Sequence, residues 1–574
     1  MPDRPADTTE EDRPERREQV FHADIDEAAS ENSVERFGLT VHSVVFPISL
    51  LCILVFITVT LLLGERVAVV YRSVFRFTNT NFGWFYILAV NSYLIALLAI
   101  AFSRYGQVRL GGPDAEPEFS TLAWLAMLFS SGMGVGLLFF GVSEPIYHFL
   151  SGGGSFFQVP PQTPAAGRTA TALTMFHWGF HPWAVYGIVG LGLAFFTFNR
   201  GLPLSFRSIF YPVWGSRIYG WRGHVVDLIA VIATVFGLAT SIGLAALQID
   251  AGLSFVATNY LPVGLLAGTW RPIAVIAVVV SVTTLSTLAG IDAGIKRLSK
   301  VNIGLMMALL GLVAVAGPTV YLLDVFSSGL AAYLGNLVEL SFYAEAFAGD
   351  GAGWQHSYTI FYWGFWIAWS PFVGMFLARI SKGRTVREFV TSVLFIPSLF
   401  SLVWMAVFNG SALFIELNLA SGGISDPLQA QGQAVALFEL FSFYPFTLVI
   451  SLLAIVNLVT FISTSADSGA IVTSYITAGG KRETDTTQRA IWPLVIGSTA
   501  AVLLLGNGLQ ALQTAVIATG LPFGVIIVCM VYTLYRGLRR ELALQRSQTD
   551  GDAPDMYSGD DTETQYSQPS QRDE

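Results

Sequence analysis

Twelve apolar stretches of about twenty residues or more, separated by short polar segments, leave this chain few ways to fold. A helical run of that length spans a hydrocarbon core roughly 30 Å thick. Inside lipid, only helices and closed barrels satisfy every backbone polar group. The runs are continuous rather than alternating, so they predict helices at about 41–63, 82–102, 119–149, 174–198, 224–250, 271–289, 302–323, 356–378, 389–414, 446–472, 489–508 and 514–536. The expected fold class is an all-α polytopic membrane protein with one twelve-helix domain over 37–540. A further stretch, 324–345, mixes apolar and polar residues and predicts an amphipathic helix along the surface.

Charge is placed as that fold requires. Only 12% of the chain is charged, about half of what a soluble protein carries. Residues 1–36 hold 12 acidic and 5 basic residues, and residues 547–574 hold 8 acidic residues and one Arg. Against a total of −9, the acidity lies in the tails and the body is mildly basic. The segments 1–36 and 541–574 therefore read as acidic cytoplasmic tails, the first of them disordered. Lys is confined to Lys296, Lys300, Lys382 and Lys481. Acidic, Lys-poor tails fit a high-salt environment; two plain disordered tails fit as well.

Basic clusters follow spans 2, 4, 6, 8 and 10, for example Arg200, Arg207, Arg217 and Arg222 after span 4. By the positive-inside rule both termini face the cytoplasm of a multi-pass plasma-membrane protein. The first outer loop, with Arg66, Arg72 and Arg76, fits least well. The polar, acidic N-terminus has no signal-peptide pattern. Cys52 and Cys529 lie in apolar runs and are expected as small buried hydrophobes.

Two spans carry helix-breaking sequence. Span 3 has Ser130-Ser131-Gly132-Met133-Gly134-Val135-Gly136, and span 8 has Trp369-Ser370-Pro371-Phe372. Unwound backbone at bilayer depth survives where it lines a cavity, and interrupted helices at matching places in two halves mark transporter sites. Close helix packing and a simple kink are the plainer alternatives.

Aromatic residues gather at the same depth. Trp178, Trp183 and Tyr186 cover one side of span 4, and Phe365, Trp366 and Trp369 an arc of span 8. Facing one another, they would form an uncharged cage for a permanent cation. An interfacial aromatic belt is the competing account.

At these residues the chain resembles the betaine/choline/carnitine transporter family. The resemblance rests on Gly132-Met133-Gly134-Val135-Gly136 through Ser143-Glu144-Pro145, on the His177-Trp178-Gly179 to Tyr186 segment, and on Trp366-Ile367-Ala368-Trp369-Ser370-Pro371-Phe372-Val373-Gly374. It implies a leucine-transporter-like fold with inverted five-helix repeats at about 119–323 and 356–536, two extra N-terminal helices, and a homotrimer. It places a trimethylammonium group among Trp178, Trp183, Tyr186, Trp366 and Trp369. Phe365 stands where related betaine carriers have Trp.

The resemblance also implies a sodium site, with hydroxyls from Thr464 and Ser465 and backbone carbonyls from Ser130, Met133 and Phe461. A second family sodium site maps to Thr234, Phe372 and Leu238, where Leu cannot ligate a cation. Gly136 leaves the substrate site without an acid and suits a zwitterion, whose carboxylate would meet the N–H groups of Gly132, Gly134 and Gly136. Glu144, Asp467, His177 and His181 are expected to hold helices together through hydrogen bonds.

The function expected is sodium-coupled import of a quaternary-ammonium solute, glycine betaine first, by alternating access and in the service of osmoprotection. Sodium-independent carnitine-type exchange is one alternative, and a non-transporting receptor or osmosensor another. No cofactor other than the coupling ion, no nucleic-acid partner and no enzymatic activity are expected.

Overall fold

The computed structural model describes residues 33–36, 39–132, 134–261, 268, 270–289, 296–348, 353–481 and 484–550. Among the described residues, ten helices are long and apolar enough to cross a membrane. In chain order the principal helices are α1 (Val45–Leu63), α2 (Val67–Phe102), α3 (Thr121–Gly132), α4 (Val135–Leu150), α5 (Pro164–Trp178), α6 (Phe180–Phe198) and α7 (Trp221–Tyr260). They continue as α8 (Trp270–Ala289), α9 (Lys296–Ala316), α10 (Thr319–Gly335), α11 (Thr359–Ile380), α12 (Val386–Phe414), α13 (Thr447–Thr477) and α14 (Thr486–Asp550). The all-α polytopic fold class holds.

The expected twelve segments map onto these helices with changes at the breaks. Segment 119–149 is divided between α3 and α4, and each piece is too short to count as a span alone. The last two segments share α14, whose helical path is interrupted at Asn507 (φ −168°, ψ 29°) and Gly508 (φ 56°, ψ −134°). Gly508 takes a left-handed conformation that a side chain would oppose. Residues 1–32 of the expected N-terminal tail and 551–574 of the C-terminal tail lie outside the described residues.

Span 8 corrects the reading of its proline. Pro371 lies inside a continuous α11. A proline removes the N–H that residue i−4 would accept, here the Ile367 carbonyl. The Ser370 hydroxyl donates to that carbonyl at 2.8 Å, so the backbone needs no break. A break the sequence reading missed separates α5 from α6 at Gly179 (φ −86°, ψ −125°). Pro182 is its local signal: continuing the helix would leave the Trp178 carbonyl without its donor. A Cβ on Gly179 would also stand 2.6 Å from the Tyr333 hydroxyl.

The core sits where α6 packs on α11 and α7 packs on α14. Helices α5, α6 and α11 are buried almost all round, as befits helices inside a bundle. By contrast α1 buries only Val45, Ser49, Ile53 and Thr60. Cys52 and Cys529 are exposed, not buried; in lipid the outer face of a helix is as apolar as its inner face, so an apolar run does not say which way a Cys points. The expected amphipathic stretch 324–345 is divided: α10 ends at Gly335 and a short helix, Leu337–Phe342, follows it. Helix α10 buries Leu322, Gly329, Ala332 and Tyr333 along one side. Arg72 and Arg76 belong to the first turns of α2, which starts earlier than predicted.

Two backbone features tie the ends. Strands Ser33–Arg36 and Leu39–His42 pair antiparallel from Ser33↔His42 to Arg36↔Leu39. The Thr40 N–H donates to Asp485 at 3.1 Å. Farther along, Leu110 N–H donates to the Arg384 carbonyl at 2.9 Å and Val386 N–H to the Val108 carbonyl at 2.8 Å. These bonds join the loops that follow α2 and α11.

Candidate functional site

Four of the expected aromatic residues converge. Trp178 closes α5, Trp183 and Tyr186 lie in the first turns of α6, and Trp366 faces them from α11. Trp178 meets Trp366 at 4.9 Å between ring centroids and 79° between planes. Tyr186 meets Trp366 at 6.2 Å and 85°, and Trp183 meets Tyr186 at 5.5 Å and 85°. These near-perpendicular contacts turn the rings into adjoining walls. With Leu137, Pro182 and Ser401 they line a cavity of about 10 Å³, room for about one water molecule. The described residues that line it carry no charged side chain.

Two of the rings are held by hydrogen bonds to neighbouring helices. Trp178 Nε1 donates to Glu144 Oε2 at 2.9 Å, across from α5 to α4. Trp366 Nε1 donates to the His177 carbonyl at 3.2 Å, an acceptor freed because α5 ends one residue later. Tyr186 is different. Its hydroxyl is buried with no partner among the described residues, a costly arrangement for a polar group unless something meets it.

Trp369 and Phe365 stand outside the cavity lining. Trp369 Nε1 donates to Ser241 Oγ at 2.8 Å and to the Gly237 carbonyl at 3.1 Å, both on α7. Phe365 is buried among Phe361, Trp366 and Trp369. Gly134 and Gly136, at the start of α4, make room for rings. A Cβ on Gly136 would lie 2.5 Å from Trp178 Cη2, and one on Gly134 2.8 Å from Trp369 Cη2. Gly132 ends α3, and no contact of its own is described.

Leu137, Pro182 and Ser401 were missed by the sequence reading. Pro182 and Leu137 sit inside segments already singled out, so proximity in sequence could have found them. Ser401 lies on α12, and only tertiary packing brings it here.

The buried polar groups do tie helices together, as expected. Ser286 Oγ and Thr287 Oγ1 donate to the two oxygens of Asp467 at 2.8 and 2.7 Å, joining α8 to α13. His181 Nε2 lies 3.1 Å from both Asn91 Oδ1 and Ser341 Oγ. Glu144, His148 and His177 bring their ligand-type atoms within 4.8 Å of one another. They are in direct hydrogen-bond contact, 2.6 Å from His177 Nδ1 to Glu144 Oε1 and 3.3 Å from His148 Nε2 to that atom.

Of the expected sodium ligands, Phe461, Thr464 and Ser465 lie on an unbroken stretch of α13. Thr464 Oγ1 donates to the Phe461 carbonyl at 2.8 Å. Met133 and the Ser130 side chain lie outside the described residues. At the second expected position, Thr234 Oγ1 donates to the Ala230 carbonyl at 2.7 Å. Leu238 packs so closely on Gly469 that a Cβ there would lie 2.1 Å from it.

A buried aromatic cavity thus lies among helices long and apolar enough to cross a membrane, the arrangement of a multi-pass membrane protein. Residues 44–543 match the family described as "BCCT, betaine/carnitine/choline family transporter". The chain belongs to that family. It is 42% identical over 524 residues to glycine betaine transporter 1 of Vibrio parahaemolyticus, covering 90% of this chain and 97% of that one. A glycine betaine/proline/choline/ectoine transporter of the same organism is 42% identical, with 91% of each chain covered. A glycine betaine transporter of Acinetobacter baylyi is 39% identical, covering 86% of this chain and 73% of that one. These relatives are transporters, not enzymes.

Proposed function

We propose that this protein imports glycine betaine, coupled to sodium, by alternating access. The observation that carries the substrate assignment is the uncharged cage of Trp178, Trp183, Tyr186 and Trp366, with a buried Tyr186 hydroxyl that lacks a partner among the described residues. A trimethylammonium group cannot donate hydrogen bonds, and π faces attract it through their quadrupoles by about 0.5–2 kcal/mol per ring. The Tyr186 hydroxyl is the donor that the carboxylate of a zwitterion needs. Relatives transporting glycine betaine support the same assignment.

For coupling, Thr464 and Ser465 offer the neutral oxygens a hard monovalent cation accepts. Seated with the Ser130, Met133 and Phe461 carbonyls, the ion would join α13 to the end of α3. We further propose inverted repeats over about 119–323 and 356–536, both termini in the cytoplasm, a trimeric assembly, and a role in osmoprotection at high salt.

Radiolabelled glycine betaine uptake into proteoliposomes tests the proposal. Accumulation under an inward sodium gradient, absent with potassium and lost in Trp366→Ala, is the expected result. Equal counterflow without sodium would replace symport by exchange. A broader substrate range is the second reading, because one relative carries proline, choline and ectoine as well. Competition by each of these against the labelled betaine decides it.

A further inference from the structure

Two aromatic rings at the site send their polar edges to one oxygen atom. Trp178 Nε1 donates to Glu144 Oε2 at 2.9 Å, and the Tyr362 hydroxyl donates to the same oxygen. The other carboxylate oxygen, Oε1, receives His177 Nδ1 and His148 Nε2. Trp354 Nε1 donates to His148 Nδ1 at 3.4 Å, which leaves Nε2 of His148 to face Oε1 with its proton. His177 Nε2 lies 3.0 Å from the Thr359 hydroxyl.

Four polar groups therefore converge on Glu144, and the carboxylate is the form that can accept from all of them. Glu144 is 1% exposed, and among the described residues its ion-pair contacts are with His148 and His177 on Oε1 alone, which leaves Oε2 to the two aromatic rings.

Its location gives it a use. Trp178 lines the cavity, and Tyr362 stacks on Trp366 at 6.0 Å and 19° while meeting Trp178 edge to face at 5.6 Å. An N–H or O–H bonded to an anion returns electron density to its ring and makes the π face more negative. Cation–π attraction follows that face. The carboxylate also stands just behind the Trp178 ring, in low-dielectric surroundings where its field is weakly screened. Both effects act on a fixed positive charge, and neither acts on an uncharged group of the same shape.

We propose that Glu144, outside the cavity lining, is the charge that makes this aromatic site select a quaternary ammonium over its uncharged isostere. The proposal rests on the ammonium-binding function put forward above and deepens it. His148 and His177 are positioning residues that hold Oε1 and so turn Oε2 toward the rings.

The test measures equilibrium binding of glycine betaine and of 3,3-dimethylbutanoate, its carbon isostere, to the full chain in nanodiscs. Wild type is expected to favour betaine. In Glu144→Gln, betaine affinity should fall by about tenfold or more while that for the isostere changes less than about twofold. Tyr362→Phe keeps the carboxylate but releases one ring, and should cut the betaine-to-isostere ratio by about threefold. Equal losses for both ligands, or an unchanged ratio in both variants, would overturn the proposal and leave Glu144 a helix tie. If Glu144→Gln does not fold, the ratio in Tyr362→Phe decides alone. A wild type that binds both ligands equally overturns the role of Glu144 while leaving a betaine site. A wild type that binds neither overturns the ammonium-binding reading as well.

Discussion

The Ser370 hydroxyl lies 2.8 Å from the Ile367 carbonyl, the acceptor that Pro371 leaves without a backbone donor. Side-chain and proline thus act as a unit, and α11 stays straight enough to carry Trp366 and Trp369 on successive turns. Ser370→Ala should destabilise the protein by about 1–3 kcal/mol through the unpaired buried carbonyl, whereas Ser370→Thr should be tolerated. Thermal unfolding in nanodiscs compares the two. Equal melting temperatures for Ala and wild type would show that the bond contributes nothing.

Gly136 allows Trp178 to lie on the first turn of α4. A methyl group there would meet Cη2 at 2.5 Å, and the indole cannot swing away freely because Glu144 holds its N–H. Gly136→Ala is expected to weaken betaine binding by about tenfold, a loss on the scale of one cation–π contact. Gly304→Ala is the control, since a Cβ there meets nothing within 4 Å. Uptake that is unaltered in Gly136→Ala would mean that Trp178 has another place to go.

Tyr186 tests the zwitterion assignment. Tyr186→Phe keeps the ring and removes the unpartnered hydroxyl. Betaine affinity should drop by roughly tenfold, the worth of a hydrogen bond to a charged acceptor. Choline, which has no carboxylate, should bind as before. A parallel drop for both ligands would move the hydroxyl's role from the carboxylate to the shape of the cage.

Asp467 joins α13 to α8 through Ser286 and Thr287. Because all three share one carboxylate, their energies should not add. A double-mutant cycle on Asp467→Asn and Thr287→Val should give a coupling of about 0.5–3 kcal/mol. Additive single losses would show that the bond is absent in the folded protein.

His42, just before α1, predicts an acid sensitivity. Its pKa is lowered to about 3, first by burial and then by the neighbouring Arg207 and His224. Its Nδ1 accepts the Val44 and Val45 N–H groups at 3.2 Å, a role only the neutral ring can fill. The unfolded chain takes up the proton first, from about pH 6.5 downward. Stability should therefore be lost as pH falls from about 6.5 toward 3, and be fully present above that window. Melting temperatures at pH 7.5 and 5.0 should differ less in His42→Asn, whose side chain still accepts the two N–H groups. An undiminished difference would assign the acid sensitivity elsewhere.

Sequence alone determined the properties that depend on near neighbours. Apolar runs of membrane length dictated helices, and the Gly-rich stretch at 132–136 marked the break between α3 and α4. Aromatic clusters at Trp178–Tyr186 and Phe365–Trp369 supplied four of the residues that line the cavity. Each of these follows from the backbone's need for hydrogen bonds in lipid or from side-chain chemistry.

Tertiary structure decided which face meets which. Of two neighbouring tryptophans on α11, it turned Trp366 to the cavity and anchored Trp369 on α7. It brought in Ser401 from α12, and it left Cys52 and Cys529 toward the outside. Lipid accepts apolar groups on every face, so hydropathy could not sort inner residues from outer ones. Four polar side chains from three helices meet at Glu144, an arrangement set by packing rather than by spacing along the chain.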